Sequence, residues 1–284
     1  MIVRFLYPRW GAEHIPWADF LDQVSAEGYS GVEWFPYGEV DHALSLEAKA
    51  LALKERELLY TIVMTVVGEW DSFEAYCILL ERQLTDLCAL KVYYAPRFIS
   101  AQVGREYFTN EQIIHCLALC DRIAQEQGIV ILQETHRNKW SYGLHRVSAI
   151  LKQYENISFT LDLSHWFCVS ESYLEDREAE VWAILPKTKH IHARVGSTQS
   201  AQVYDVRRPE FEQGVQKHWA FWGKWLTLME ENGEKEVTMT TEFGPPPYGL
   251  TLETKALEYT FQWEQNKWMK NYLQQEINKL YDIT

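Results

Sequence analysis

Short apolar runs of the β type alternate with helical patterns along the whole chain. The predicted strands cover residues 2–7, 31–35, 60–66, 92–95, 129–134, 157–162, 189–195 and 236–242. The predicted helices cover residues 16–27, 46–58, 71–90, 109–128, 144–154, 178–185, 211–231 and 252–281. Strands that alternate with helices predict βαβ units and a parallel sheet.

Residues typical of helix ends support these helices. Asp71 lies three residues before Glu74, and Thr109 lies three residues before Gln112, so each pair has the spacing of a capping box. Gly128 follows the fourth predicted helix, and glycine is common at this position because it adopts the left-handed conformation that ends a helix.

Eight strand–helix units in 284 residues match a (β/α)8 TIM barrel, which is one domain of about 250 residues. Two small domains, or a doubly wound open sheet, are the alternatives. An open sheet usually has a glycine-rich turn after its first strand, whereas residues 7–11 read Tyr-Pro-Arg-Trp-Gly. No low-complexity linker divides the chain. We therefore expect a single domain over residues 1–284, with an extended C-terminal helical segment.

Charge and cysteine content narrow the range of partners. With 40 acidic and 27 basic residues, the formal net charge is −13, which disfavours non-specific binding to nucleic acid or to an anionic membrane. No stretch is apolar enough for a transmembrane helix, and the amino terminus lacks a signal-peptide pattern. The 5 cysteines form no Cys-x-x-Cys pair. We expect a cytoplasmic protein with reduced cysteines that binds neither nucleic acid nor membranes.

Polar residues end or occupy four of the later strands. Glu134, Asp162 and Glu242 end the fifth, sixth and eighth strands, and His192 lies in the seventh. The carboxyl ends of barrel strands build the active site, and this set of ligands suits one divalent metal ion such as Mn²⁺, Mg²⁺, Co²⁺ or Zn²⁺. Each residue alone is more often a helix cap, a salt-bridge partner or a core histidine. Four of them at matching strand ends favour a metal site.

Five segments of the chain resemble the xylose isomerase-like TIM-barrel superfamily, which includes sugar isomerases, ketose 3-epimerases, inosose dehydratase and endonuclease IV. These segments are GYSGVEWF (28–35), LQETHR (132–137), FTLDLSHW (159–166), KHIHARVG (189–196) and TTEFGPP (240–246). Their order and spacing are typical of the superfamily but not of one activity.

The resemblance implies roles for individual residues. Glu134 and Glu242 match two family glutamates that bind metal and act as the acid/base pair. Asp162 and His192 match the other two metal ligands. His165, three residues after Asp162, matches a histidine that contacts substrate.

Further side chains are candidates for substrate binding. Strand periodicity places His190, His192 and Arg194 on one face, and Arg194 lies near the position where relatives hold a substrate-binding group. His136 and Arg137 would donate hydrogen bonds to sugar hydroxyls, although a salt bridge that orients a metal ligand is an equal interpretation for Arg137. The arginines also suit a phosphate or carboxylate, so the sequence does not distinguish a free sugar from a phosphorylated one.

Four of the 12 tryptophans lie near the predicted strand ends and would wall a sugar pocket, with packing in the core as the alternative. They are Trp10, Trp34, Trp140 and Trp166. Glu33, near the end of the second strand, either faces the mouth or forms a structural ion pair. The length of the C-terminal helical segment makes a homo-oligomer a hypothesis.

The resemblance implies a sugar or sugar phosphate isomerase or epimerase that depends on one divalent metal ion and serves carbohydrate metabolism. Its reaction would be proton abstraction next to a carbonyl, through a metal-stabilised enediolate. The alternatives are an inosose-dehydratase-like lyase on the same metal site and a non-catalytic sugar-binding barrel. Thr135 and His136 follow Glu134, so the Glu-x-Lys motif of classical xylose isomerase is absent.

Overall fold

The computed structural model describes residues 1–40 and 43–282, and within them eight parallel strands close into a barrel. The strands are β1 (Ile2–Pro8), β2 (Gly31–Trp34), β3 (Leu59–Thr65), β4 (Ile99–Gln102), β5 (Ile131–Glu134), β6 (Phe159–Leu161), β7 (Thr188–His192) and β8 (Glu236–Thr240). Each strand pairs with the next along the chain, and β8 pairs with β1 in the register Ile2↔Glu236. The predicted (β/α)8 TIM barrel is therefore confirmed.

Helices alternate with the strands in the described ranges. They are α1 (Trp17–Ala26), α2 (Leu46–Glu55), α3 (Phe73–Cys88), α4 (Asn110–Gln127), α5 (Leu144–Leu151), α6 (Leu163–Ser170), α7 (Glu178–Trp182), α8 (Glu212–Glu231) and α9 (Lys255–Asp282). Short 3₁₀ helices lie at Pro36–Gly38, Ala89–Val92, Leu185–Lys187 and Pro209–Phe211. Helix α9 is the predicted C-terminal segment. Among the described residues, no helix is both long enough and apolar enough to cross a bilayer.

The fourth strand was predicted in the wrong place. Residues 92–95 were expected to form it, but α3 runs into the 3₁₀ helix Ala89–Val92, where Val92 is 78% exposed. Strand β4 is Ile99–Gln102, and its Ile99 is fully buried and pairs with β3 and β5. Apolar residues at an exposed connection resemble a strand in sequence, so burial and pairing decided between the two segments.

The helix ends agree with the sequence prediction in one case and differ by one residue in another. The Thr109 hydroxyl accepts from the Gln112 N–H while the Gln112 side chain accepts from the Thr109 N–H, and Gly128 adopts φ 64°. The cap of α3 is Ser72 rather than Asp71, because the Ser72 hydroxyl accepts the Ala75 N–H at 3.1 Å.

A layer of polar side chains lies inside the barrel beneath its mouth. The His190 ring bonds to the carbonyl oxygen of Thr238 at 2.9 Å and to the Thr240 hydroxyl at 3.0 Å. Ser100 donates to the Thr160 hydroxyl at 2.9 Å. Buried polar groups are costly unless they are hydrogen-bonded, and these bonds hold rigidly the strands that carry the polar residues above them.

Candidate functional site

A cavity of about 210 Å³ lies at the carboxyl ends of the strands, the face that holds the active site in barrels of this type. Its lining residues are Pro8, Trp10, Glu33, Phe35, Val63, Thr65, Gln102, His136, Arg194, Glu242 and Tyr248. Five residues that the sequence analysis named as candidates line it directly: Trp10, Glu33, His136, Arg194 and Glu242. The lining combines apolar side chains with polar and ionisable ones.

Three of the four expected metal ligands converge beside this cavity. Glu134, His192 and Glu242 each offer one ligand atom, and these atoms all lie within 4.8 Å of one another. Nδ1 of His192 lies 2.8 Å from Oε2 of Glu242 and 3.8 Å from Oε1 of Glu134. The side chains come from β5, β7 and the residues after β8, three elements that only the closed barrel brings together.

The chemistry of these atoms fits a divalent cation. Within the described chain, neither His192 Nδ1 nor Glu242 Oε2 has a hydrogen-bond partner, although they lie 2.8 Å apart and both are buried. Buried polar atoms are rarely left without a partner. Nitrogen and oxygen ligands about 2.1 Å from a common cation lie roughly 3 Å apart, as these two atoms do. Glu134, His192 and Glu242 are therefore the residues that would hold it.

Glu33 of β2 orients His192 from the opposite side of the ring. Its Oε2 lies 2.9 Å from Nε2 of His192 and 3.4 Å from Nε2 of His190. Burial opposes ionisation of Glu33, but the two histidines hold its pKa well below the usual value. The Glu33 carboxylate lines the cavity and also forms an ion pair with His192. Both interpretations of Glu33, a residue facing the mouth and a structural ion pair, therefore apply. A carboxylate behind a histidine is a common arrangement at metal sites.

Asp162 has different partners from those expected for a metal ligand. One carboxylate oxygen forms an ion pair with Arg194, and the other accepts from the N–H of Ser164 at 2.9 Å, which caps α6. Asp162 belongs to none of the three candidate metal-binding groups found among the described residues. Arg194 also lies 3.8 Å from Glu242, so its guanidinium places a permanent positive charge between two carboxylates at the mouth.

Glu134 contacts two polar side chains of the neighbouring strand β4. Gln102 donates to its Oε1 at 2.9 Å, and the Ser100 hydroxyl oxygen lies 3.3 Å from its Oε2. Burial, together with the nearby negative charges of Glu242 and Glu33, raises the pKa of Glu134 to about 8, against the opposing effect of His192. The uncharged form of this carboxyl group is thus favoured by its surroundings, and a bound cation would favour the carboxylate instead.

Glu242 has an unusual backbone conformation. Its φ is +37°, in the left-handed region that residues other than glycine rarely occupy. Such strain is concentrated at functional positions, where the surrounding fold maintains it. The sequence offers no sign of this conformation, because the segment continues the apolar pattern of β8.

His136, His165 and Tyr248 form an aromatic cluster beside Arg194. The two imidazole rings lie 4.1 Å apart, and Nε2 of His165 accepts from Arg194 at 2.8 Å. Burial lowers the pKa of both histidines, and Arg194 lowers them further, so the imidazoles are neutral. The guanidinium groups of Arg137 and Arg194 both pack on the Tyr248 ring, at 4.9 and 4.7 Å from its centroid.

The tryptophans divide between the mouth and the core. Trp10 lines the cavity and packs edge-on against Tyr248 at 5.2 Å. Trp166, expected to touch substrate, is fully buried, and its indole N–H donates to the carbonyl oxygen of Ser141. Trp34 and Trp140 are also buried, outside the cavity lining. The structure therefore places Trp10, but not the other three, at the mouth.

Several cavity residues were absent from the sequence prediction. Gln102 was missed because strand four was placed seven residues too early, and Thr65 because a threonine inside a strand carries no special signal. Tyr248 follows Glu242 in a proline-rich loop, and a search for aromatic residues after each strand would have found it.

The chain shares its fold with proteins of known structure, although no protein-family model matches it and no curated protein matches its sequence. L-ribulose 3-epimerase superposes with a TM-score of 0.68 at 12% identity, over 99% of this chain and 96% of that chain. A xylose isomerase domain protein from Alicyclobacillus acidocaldarius gives 0.66 at 13% identity, over 99% of each chain. A probable 3-DHS dehydratase from Bacillus anthracis gives 0.59 at 16% identity, over 92% and 98%.

Other structural matches include D-psicose 3-epimerase, endonuclease IV from Thermus thermophilus and a xylose isomerase-like protein from Mycobacterium smegmatis in complex with magnesium. At these low identities the likeness concerns the fold. The expected similarity to xylose isomerase-like TIM barrels is therefore confirmed at the level of fold, and the residues of the site carry the argument about function.

Proposed function

We propose that this protein is a divalent-metal-dependent isomerase or epimerase that acts on a small sugar or sugar derivative. The observation that carries the proposal is the convergence of Glu134 and Glu242 on Nδ1 of His192, at 3.8 and 2.8 Å, beside the cavity. Two carboxylates from different strands, next to one ligand nitrogen, can approach a bound substrate from different directions.

The two glutamates have the properties of an acid/base pair. Burial raises the pKa of Glu134, so this carboxylate, when ionised beside a bound cation, would be a strong enough base to take a proton from a carbon of the substrate and to return it. Glu242 lies at the cavity surface and can accept a proton from the opposite side. Return of the proton to another carbon gives isomerisation, and return to the other face of the same carbon gives epimerisation.

Other side chains would position the substrate. Arg194 and His136 line the polar part of the cavity, where Arg194 can donate and the neutral His136 ring can accept through Nε2, because its Nδ1 already donates to the carbonyl oxygen of Arg137. Trp10, Phe35 and Tyr248 offer apolar surface to the C–H faces of a sugar. A cation held by Glu134, His192 and Glu242 would polarise the carbonyl group and offset the negative charge that develops there. We also propose Asp162 as a fourth ligand. To bind the cation, its carboxylate would have to break its ion pair with Arg194.

The similar folds agree with this proposal without deciding the reaction. L-ribulose and D-psicose 3-epimerases share the fold, as does the protein crystallised with magnesium. Endonuclease IV also shares it, but the formal charge of −13 disfavours a DNA substrate. We therefore propose a small carbohydrate as the partner of the cavity.

The test is hydrogen exchange in D₂O. The protein with Mn²⁺ is incubated with ketoses, aldoses, their phosphates and inososes, and each sugar is examined by NMR. We expect deuterium at one carbon next to the carbonyl of an accepted sugar. Glu134→Gln should lower the exchange rate by a factor of about 10² or more while the circular dichroism spectrum is retained.

Glu236→Gln is the matched control, because Glu236 begins the strand that leads to Glu242 but lies at the opposite end of the barrel. Equal exchange rates in Glu134→Gln and the wild type would overturn the acid/base assignment. Loss of water from the sugar would indicate the lyase instead, and binding without any exchange would indicate a non-catalytic barrel.

A further inference from the structure

Lys139 places a buried positive charge beside the cavity. The residue lies in the loop after β5 and is only 8% exposed. Its ammonium group donates to the hydroxyl of Thr65, a cavity residue, at 2.6 Å. Within residues 1–40 and 43–282, no carboxylate oxygen lies within 4.0 Å of the Lys139 ammonium, the largest distance of an ion pair. Lysines are rarely buried without such a partner.

A second cation lies close to Lys139. Arg105 follows β4 at the same end of the barrel, and its buried Nε has no hydrogen-bond partner in the described part of the molecule. The nearest carboxylate, Glu106, is 3.7 Å away. Burial and the positive charge of Arg105 lower the pKa of Lys139 to about 8, and the attraction of Glu134 and Glu106 only partly offsets them. Two cations therefore share a region with little compensating charge.

This region adjoins the part of the cavity that β3 and β4 line. Thr65 and Gln102 are register partners on β3 and β4, and both line the cavity. Gln102 in turn donates to Glu134 on β5 at 2.9 Å. The Lys139 ammonium, bonded to Thr65 on β3, and the Glu134 carboxylate on β5 thus have strand β4 between them. One end of an extended sugar chain bound at Glu134 would reach the ammonium.

We propose that Lys139, with Thr65 and Arg105, forms a subsite for an anionic group, a phosphate or a carboxylate, at the end of the substrate far from the reacting carbonyl. The inference rests on the proposed function, because it takes Glu134 as the reacting end. A lysine ammonium offers three donors and no acceptor, so an anion satisfies it better than a neutral hydroxyl. Arg137 and Arg194 are less available, since both pack on Tyr248 and Arg194 is paired with Asp162.

The first test measures anion binding by isothermal titration calorimetry on the full chain, with and without Mn²⁺. Inorganic phosphate and malonate are the two probes, and the one that binds identifies the anionic group. Lys139→Gln should weaken its binding roughly ten- to a hundredfold, the effect of losing a charged hydrogen bond. Lys139→Arg, which keeps the charge, should retain binding within a few-fold.

Arg105→Gln is a second variant, at a side chain that is 34% exposed and therefore little involved in folding, and it should weaken the same probe several-fold. Lys235→Gln, at an exposed surface position, is the matched control and should bind as the wild type does. The proposal is overturned if neither anion binds, or if Lys139→Gln binds both anions as tightly as the wild type.

The second test separates this inference from the proposed function. For accepted substrates, the ratio of kcat/KM for the anionic sugar to kcat/KM for its neutral counterpart should fall at least tenfold in Lys139→Gln. If neutral sugars exchange deuterium and the ratio does not change, the subsite is wrong and the reaction assignment stands. If no sugar exchanges deuterium while Lys139→Gln still loses anion binding, the subsite stands and the reaction assignment is wrong.

Discussion

Nε2 of His192 lies 2.9 Å from Oε2 of Glu33, while Nδ1 of the same ring faces Glu242 at 2.8 Å. The ring is thus held between a carboxylate behind it and a carboxylate at the candidate metal site. Such a partner fixes the orientation of a metal-binding histidine and increases its basicity. Glu33 therefore belongs to the candidate site, although it is not among the proposed ligands.

The first prediction concerns this partner. Glu33→Ala should weaken Mn²⁺ binding about ten- to a hundredfold, because the His192 ring loses both its orientation and its charge compensation. Glu33→Gln should weaken Mn²⁺ binding less, since its amide oxygen can still accept a hydrogen bond from the His192 ring. Calorimetric titration of Mn²⁺ into each variant checks the order. Equal affinities in Glu33→Ala and the wild type would contradict the role of Glu33.

The second prediction concerns the buried ion pair of Asp162 and Arg194. Asp162→Asn should lower the free energy of unfolding by about 3 kcal/mol, because it leaves a buried guanidinium without its carboxylate. Asp22→Asn is the matched control, since the Asp22–Arg56 pair is largely exposed and pairs of that kind contribute about 0–1 kcal/mol. Urea unfolding measures the loss of unfolding free energy in both variants. Similar losses would show that the buried pair contributes no more to stability than the exposed pair.

The third prediction concerns Gly244, which packs against a wall of the cavity. A Cβ atom at this position would lie 2.1 Å from the ring of Trp10. Gly244→Ala should therefore displace the indole, cost about 1–3 kcal/mol of stability and raise the KM of an accepted sugar. Trp10→Phe in the same chain should recover most of the stability, because the smaller ring avoids the clash. Strictly additive effects of the two substitutions in urea unfolding would rule out this contact.

The fourth prediction concerns His218, a fully buried histidine on α8. One ring nitrogen bonds to the carbonyl oxygen of Gly214 at 2.8 Å, and burial lowers the pKa to about 4. The unfolded chain, with a histidine pKa near 6.5, binds the proton more readily. The stabilising contribution is therefore complete above about pH 6.5 and is lost as the pH falls towards 4.

The slope due to His218 is at most about 1.4 kcal/mol per pH unit. Urea unfolding of the wild type and of His218→Gln between pH 7.5 and 4.5 measures it. The wild type should lose stability faster than the variant as the pH falls. Parallel curves would show that the imidazole is not kept neutral by the fold.

The order of strands and helices was predictable because it depends on local signals. Alternating apolar runs, the Thr109–Gln112 capping box and Gly128 all act within a few residues of chain, and the structure shows them as expected. The fourth strand was misplaced because residues 92–95 and 99–102 are both short and rich in apolar side chains. Only the pairing of Ile99 with its neighbours distinguishes them.

The structure brings together three of the residues that were predicted from strand ends. Glu134, His192 and Glu242 were found because charged residues at the ends of buried strands are unusual, and barrel closure brings strand ends together. The partners of these residues were not predictable. Two of these contacts, Asp162 with Arg194 and Glu33 with His192, join segments that are far apart in sequence. The burial of Trp166 likewise depends on the tertiary structure.

The sequence by itself therefore determined the kind of fold and the residues able to perform chemistry, because periodicity and residue type are local properties. The tertiary structure alone decided which of them touch. It paired Asp162 with Arg194, set Glu33 behind His192 and buried the Lys139 ammonium beside the cavity. The physical reason is that the charge state and the partners of a group depend on its burial and on atoms from distant strands. The order of polar and apolar residues along the sequence does not contain this information.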